Sequence, residues 1–191
     1  IQVVPRAVFC ALWLLTAVPV FAQDFTVDTF QDGVDASPGD GVCASVAGVC
    51  TFRAALEEAA LAGSPQVIAL PEGNYNWVLG ELLIEEGDIT VNGAGARATI
   101  VDAAGNSRFL ETTSNLIALT LQGFEFQNGF DGNDPGGAIE NDCNNLTLEQ
   151  MVFRSCETGI GFGGAIHNRG EMEVLSCLFV DCVAEGNDGQ N

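Results

Sequence analysis

Between Leu116 and Cys182 one block of sequence is written three times, and that repeat restricts the fold more tightly than anything else in the chain. Leu119, Leu121, Phe124 and Phe126 stand above Leu146, Leu148, Met151 and Phe153, and these stand above Met172, Val174, Cys177 and Phe179. The offsets are 27 and then 26 residues, and every column stays apolar. A shared tail keeps the same register: Gly136-Gly137-Ala138-Ile139-Glu140-Asn141 returns as Gly163-Gly164-Ala165-Ile166-His167-Asn168. A fixed period of this length marks a solenoid, in which each unit buries its apolar face only by stacking on its neighbours.

Inside each block the apolar residues alternate with polar ones, as in Leu146-x-Leu148 and Met151-x-Phe153. That is the period of a strand, not of a helix. Two or three short strands separated by Gly, Asn and Asp corners make one coil of a parallel β-helix. The expected fold is therefore all-β: a right-handed parallel β-helix with one short N-terminal capping helix. Leucine-rich repeats have a similar length but need a Leu/Asn ladder that is missing here. An ordinary β-sandwich carrying two chance Gly-Gly motifs would not keep four apolar columns in register with them.

Charge excludes several partners. The chain has 191 residues with 26 Asp and Glu against 6 Arg and no Lys, a formal net charge of −20. Such a surface repels nucleic acid, anionic membranes and polyanionic substrates. Its plain role is to keep an exposed solenoid soluble.

The N-terminus reads as an export leader over residues 1–22. Arg6 precedes an apolar run from Ala7 to Leu15, and Val20-Phe21-Ala22 supplies small residues where a signal peptidase cuts. Pro19 breaks the run too early for a membrane span. Cleavage after Ala22 or Gln23 would release a mature chain with six of the seven cysteines, and disulfides are permitted in an exported chain. Cys43 and Cys50 bracket a small flexible loop. Cys156 and Cys182 share a column of successive repeats, where strands about 4.8 Å apart suit a cross-coil bridge. Cys177 falls in the inward column of Phe124 and Met151. Cys143 sits at a corner with no assigned partner. Zinc is the weaker reading, because the chain has no CxxC and only one histidine, His167.

Residues 24–75 do not repeat and are expected to form an N-terminal cap, with the coils following over residues 76–191. Phe25-x-Val27 reads as a strand. Phe52, Ala55, Leu56, Ala59 and Ala60 make one apolar stripe on a helix started by Thr51 and ended at Gly63. Val67-Ile68-Ala69-Leu70 reads as a buried strand before a turn at Pro71-Glu72-Gly73-Asn74. A β-helix must cover its first coil, and this helix fits the role.

The run Cys50-Thr51-Phe52-Arg53-Ala54-Ala55-Leu56, with Cys43 before it and Val67-Ile68-Ala69-Leu70-Pro71 after it, resembles the CSLREA domain. That resemblance implies a following right-handed β-helix on a bacterial surface or exported protein. Ile89-Thr90-Val91-Asn92-Gly93-Ala94-Gly95 and Thr99-Ile100-Val101-Asp102 resemble the first coils of pectin-lyase-like β-helices. The Gly-Gly-Ala-Ile blocks are similar to repeats of polymorphic outer-membrane proteins. Together these cover nearly all of residues 25–187. Ala54 departs from the family pattern, which has Glu there to complete a capping box.

Many β-helices cut acidic polysaccharides, but the residues for that chemistry are not gathered in this sequence. Elimination needs a Lys or Arg base beside Ca²⁺, and Arg97, Arg108, Arg154 and Arg169 share no column. Hydrolysis needs clustered carboxylates. Asp102, Glu125, Glu149 and Glu173 are the candidates, with only Glu149 and Glu173 near one column. His167 replaces Glu140 of the previous block and reads as a corner residue. Asn141 and Asn168 are expected to stack and satisfy corner backbone groups, with Gly136, Gly137, Gly163 and Gly164 supplying positive φ. Asp131 and Asp134, and the acidic stretch 181–188, are the candidate Ca²⁺ ligands.

The sequence thus points to an exported, non-enzymatic, adhesin-like module, secreted or held at the cell surface. Its expected partners are glycans or other surface proteins, and it would meet a membrane only through an anchor further along the chain. The alternative is a carbohydrate-active β-helix enzyme, a polysaccharide lyase or glycoside hydrolase, with catalytic residues beyond Asn191. In either case further coils are expected, because Gly189 falls where another Gly-Gly-Ala-Ile block would begin.

Overall fold

The repeat period winds the chain into a parallel β-solenoid of about four turns. The computed structural model describes residues 23–159 and 161–185. The expected leader and the expectation placed on Gly189 lie outside them.

Strand β1 (Gln23–Thr26) and helix α1 (Phe52–Leu61) precede the stack. The first coil contains β2 (Gln66–Leu70), β3 (Gly73–Asn76) and β4 (Leu82–Ile84), and the second β5 (Asp88–Gly93), β6 (Thr99–Asp102) and β7 (Leu110–Thr112). The third has β8 (Ala118–Gln122), β9 (Glu125–Gln127), β10 (Phe130–Asp131) and β11 (Ile139–Asn141). The fourth has β12 (Leu146–Glu149), β13 (Val152–Arg154), β14 (Glu157–Thr158) and β15 (Ile166–Asn168). Strands β16 (Met172–Leu175), β17 (Leu178–Val180) and β18 (Val183–Ala184) begin a fifth. All named strand pairs are parallel, in sheets ordered β1-β2-β5-β8-β12-β16, β3-β6-β9-β13-β17, β4-β7-β11-β15 and β10-β14-β18.

Register follows the repeat column by column. Leu148 lies between Leu121 and Val174, and Phe153 between Phe126 and Phe179. Leu121, Leu148, Phe126 and Phe153 are fully buried, whereas Val174 and Phe179 on the last strands are 41% and 46% exposed. An inward side chain is finished by the coil on each side of it, and these two have a described neighbour on one side only. Spacing between successive coils varies: paired residues are 23 apart from Gln66 to Ile89, 30 from Ile89 to Leu119, 27 from Leu119 to Leu146 and 26 from Leu146 to Met172.

Helix α1 closes the other end. Thr51 caps it, its side chain accepting the Ala54 N–H at 3.0 Å, and Gly63 follows with φ +66°. Phe52 makes edge-on contacts with Trp77 and Phe124 at 5.8 and 6.0 Å and lies 5.6 Å from Phe109. The apolar stripe therefore plugs the mouth of the stack. Ala54 is fully buried. Two helix carboxylates tie down the acidic loop, Glu57 Oε2 accepting the Asp35 N–H and Glu58 Oε2 the Gly39 N–H, each at 2.6 Å. A disulfide joins Cys43 to Cys50 beside this loop.

Three sequence expectations need correction. Gly73 and Asn74 belong to β3 and not to the turn before it. His167, Asn141 and Asn168, expected at corners, are strand residues of β11 and β15, with His167 paired to Glu140 and Asn168 to Asn141. Of each Gly-Gly pair only the first has positive φ, +81° at Gly136 and +66° at Gly163. The second glycines are set by crowding: a Cβ on Gly137 would meet Glu157 N at 2.5 Å, and one on Gly164 the Val183 carbonyl carbon at 2.6 Å.

Candidate functional site

Three polar features run along the coils, and two of them are taken up by the fold. The first is an interior ladder. Strands β7, β11 and β15 put Thr112, Asn141 and Asn168 in one column. The Thr112 hydroxyl donates to Asn141 Oδ1 at 2.7 Å, and Asn141 Nδ2 donates to Asn168 Oδ1 at 2.6 Å. The two amides also donate to the carbonyls of Cys143 and Gly170, at 3.2 and 3.0 Å. The buried Asn141 amide and the exposed Asn168 amide are each satisfied by a neighbour and by the bend that follows.

The second feature is a stack of ion pairs on the outer face of the same sheet. Arg108, with its side chain 2% exposed, bonds Glu81 and reaches Glu140 Oε2 at 2.7 Å. Arg169 holds the other oxygen of Glu140 at 2.7 Å and Asp142 at 2.6 Å. Burial works against the Arg108 charge, but Glu81 and Glu140 outweigh it and raise its pKa. Burial also raises the Glu111 carboxyl, which Arg108 partly offsets. The sequence gives no hint of this convergence, because Arg108 lies outside the repeated columns and Arg169 in a bend. The ends of the solenoid differ in kind: Arg53 on α1 makes a bidentate pair with Asp32 at 2.7 and 3.1 Å, and this too lies in the non-repeating part.

The third feature is open. Where β9, β13 and β17 end, the chain bends through Asn128, Ser155 and Asp181, all with φ between 51° and 55°. Asn and Asp tolerate this left-handed conformation better than most residues. The Asn128 N–H bonds Arg154 O and the Ser155 N–H bonds Val180 O, so the bends form a column. Asp102 on the preceding coil braces it, accepting from Asn128 Nδ2, Gln127 Nε2 and the Ala104 N–H at 2.8 to 2.9 Å. Burial opposes the Asp102 charge, but these three donors outweigh it and lower its pKa. Along this column lies a groove of about 540 Å³, lined by Ala104, Asn128, Phe130, Ser155 and Glu157. Phe130 and Glu157 are paired residues of adjacent coils and stand together on one wall.

The carboxylates weighed for catalysis are separated or engaged. Glu125 lies 2.7 Å from Arg154 Nε. It pairs with Ile100, two residues before Asp102, so the two carboxylates are diagonal neighbours on one sheet, held by different partners. Glu149 pairs with Leu175, and Glu173 with Thr147, so these two stand diagonally on adjacent strands, near one column and not directly paired. Asp131 Oδ1 accepts the N–H groups of Asn133 and Asp134 at 2.9 and 2.8 Å, which spends it on its own turn. Among the described residues no three His, Cys, Asp or Glu side chains gather as metal ligands, and no helix is long and apolar enough to cross a membrane. Arg97 makes no ion pair with the stack that gathers Arg108 and Arg169.

No family model matches the chain, and comparison with curated proteins and with solved structures finds no match. The site therefore has to be read from its own chemistry.

Proposed function

We propose that this chain is an exported, non-enzymatic surface module, a right-handed β-helix with a CSLREA-type cap, whose groove beside Phe130 holds a glycan. The observation that carries the reading is the groove itself. It crosses successive coils and lines an aromatic ring up with Asn, Ser and Glu side chains. Sugars present an apolar C–H face and a rim of hydroxyls, and a mostly preformed cleft with one aromatic platform and a few polar groups suits both. The ion-pair stack on another face is not available in the same way, because Arg108 and Arg169 both hold Glu140 and Arg169 also holds Asp142. A net charge of −20 favours neutral or amino sugars over acidic ones.

Probing the purified chain on an array of neutral, amino and acidic glycans tests this directly. Retention of neutral or amino glycans is expected, with Phe130→Ala weakening binding about tenfold or more, as loss of one aromatic contact surface implies. Undiminished binding by Phe130→Ala, or cleavage of any glycan on the array, would overturn the assignment.

A further inference from the structure

We propose that Cys182 and Cys156 form a thiol–disulfide site, in which Cys182 attacks a small-molecule disulfide and Cys156 resolves the adduct into a bond between coils. Repeat register brings the two together. The Ser155 N–H bonds Val180 O and the Val183 N–H bonds Cys156 O, each at 2.9 Å, so the cysteines face one another across a single strand spacing. Parallel neighbours lie about 4.8 Å apart, within the Cα range a disulfide accepts. Both thiols are free, with Cys156 Sγ 3.5 Å from Arg154 O and Cys182 Sγ 3.5 Å from Phe153 O.

Their environments differ in the way two sequential roles require. Cys156 is fully buried, whereas Cys182 on the last described coil is only half-buried. The Cys156 thiol beside it holds the Cys182 pKa down. The neighbouring Cys182, together with burial, pushes the Cys156 thiol up. The thiolate is the nucleophile in thiol–disulfide exchange, so the accessible partner is also the one ready to react.

The other free cysteines are placed differently. Cys177 stands over Met151, where the Leu178 N–H bonds Met151 O, and its thiol points at Leu148 O at 3.3 Å. Cys143 is fully buried beside Leu116, and burial raises its pKa.

The exchange balances with a low-molecular-weight disulfide such as oxidised glutathione as oxidant. The Cys182 thiolate displaces one glutathione thiolate and becomes a mixed disulfide. Cys156 then loses its proton to water and its sulfur attacks that of Cys182, displacing the second glutathione. Two protein thiols lose two electrons and two protons, and one glutathione disulfide becomes two thiols. The product clasps β17 and β18 to the coil before them. This site is independent of the groove.

The test starts with the chain reduced with dithiothreitol and desalted at pH 7. Oxidised glutathione should then re-form Cys43–Cys50 and, among the other four cysteines, give a Cys156–Cys182 disulfide as the main product on non-reducing peptide mapping. Brief iodoacetamide treatment of the reduced chain should label the half-buried Cys182 at least about tenfold faster than the fully buried Cys143, as their access to solvent requires. Cys156→Ser should stop at glutathione carried on Cys182. Glutathione found on Cys143 or Cys177 with Cys182 free, a bond from Cys177 to either cysteine, or a stable mixed disulfide at Cys182 in the wild type would each overturn the proposal. The wild-type arms decide the matter even if Cys156→Ser fails to fold.

Discussion

Arg53 Nε stands 2.7 Å from Asp32 Oδ1 while its guanidinium carbon lies 4.0 Å above the Trp77 ring. Asp32 also accepts the N–H groups of Val78 and Leu79, each at 2.8 Å. One buried pair thus joins the capping helix, the loop before it and the first coil. Removing one partner of such a pair strands a charge in a dry site. Asp32→Ala is expected to lower stability by about 3–5 kcal/mol. Urea unfolding followed by circular dichroism checks this, and a loss below about 0.5 kcal/mol would mean that the helix is held by apolar contact alone.

Phe153 and Phe179 stack with ring centroids 5.2 Å apart, yet only the first is enclosed on both sides. Phe153→Ala should cost about 3–5 kcal/mol as a core truncation. Phe179→Ala should cost well under half of that, because nearly half of its surface is already wet. Thermal melts of the two variants compare them, and equal losses would show that the last coil is covered in solution.

Gly137→Ala should destabilise by about 1–3 kcal/mol although its φ is ordinary, because the new methyl meets the β14 backbone. Gly132→Ala is the control. Its added Cβ would come no nearer than 3.4 Å to the Phe130 ring, and it should stay within about 0.5 kcal/mol of wild type. A tolerated Gly137→Ala would mean that neighbouring coils can slide apart at this bend.

Asp102 makes an acid-side prediction. Its folded pKa is lowered, so its contribution to stability is present above the unfolded value of about 3.9 and is lost as pH falls below that value through the folded pKa. The wild type should lose stability as pH falls below about 4, and Asp102→Asn should lose less over the same descent. Some slope should remain in the variant, since Arg169 also lowers Asp142. Denaturant midpoints measured across that range decide it, and identical slopes would remove Asp102 from the account.

Where the chain repeats, the fold could be read from the sequence in detail. Offsets of 27 and 26 residues place Leu146 on Leu119 and Met172 on Leu146, and the structure pairs those residues. Outside the repeat the reading thinned. Arg53 and Asp32 lie 21 residues apart with no periodic neighbour to connect them, and only the folded cap reveals the pair. The left-handed bends at Gln150, Ser155 and Ser176 were also hidden. Glycine is the usual sequence sign of positive φ, and these positions carry other residues. The groove was missed for the same reason, since left-handed bends at Ala104, Asn128 and Ser155 line it.

The spacing between coils ranges from 23 to 30 residues while the columns stay in register. Added or lost residues therefore collect in the bends, and the strands do not notice them. A change of two residues inside β12 would turn no side chain over but would shift every partner on both flanks. The same two residues placed between Asp131 and Gly136 would only lengthen a surface loop. Such a chain can vary its outer contour bend by bend without renegotiating its interior. New recognition surfaces should therefore arise at the bends first, and engineering of this molecule should begin there.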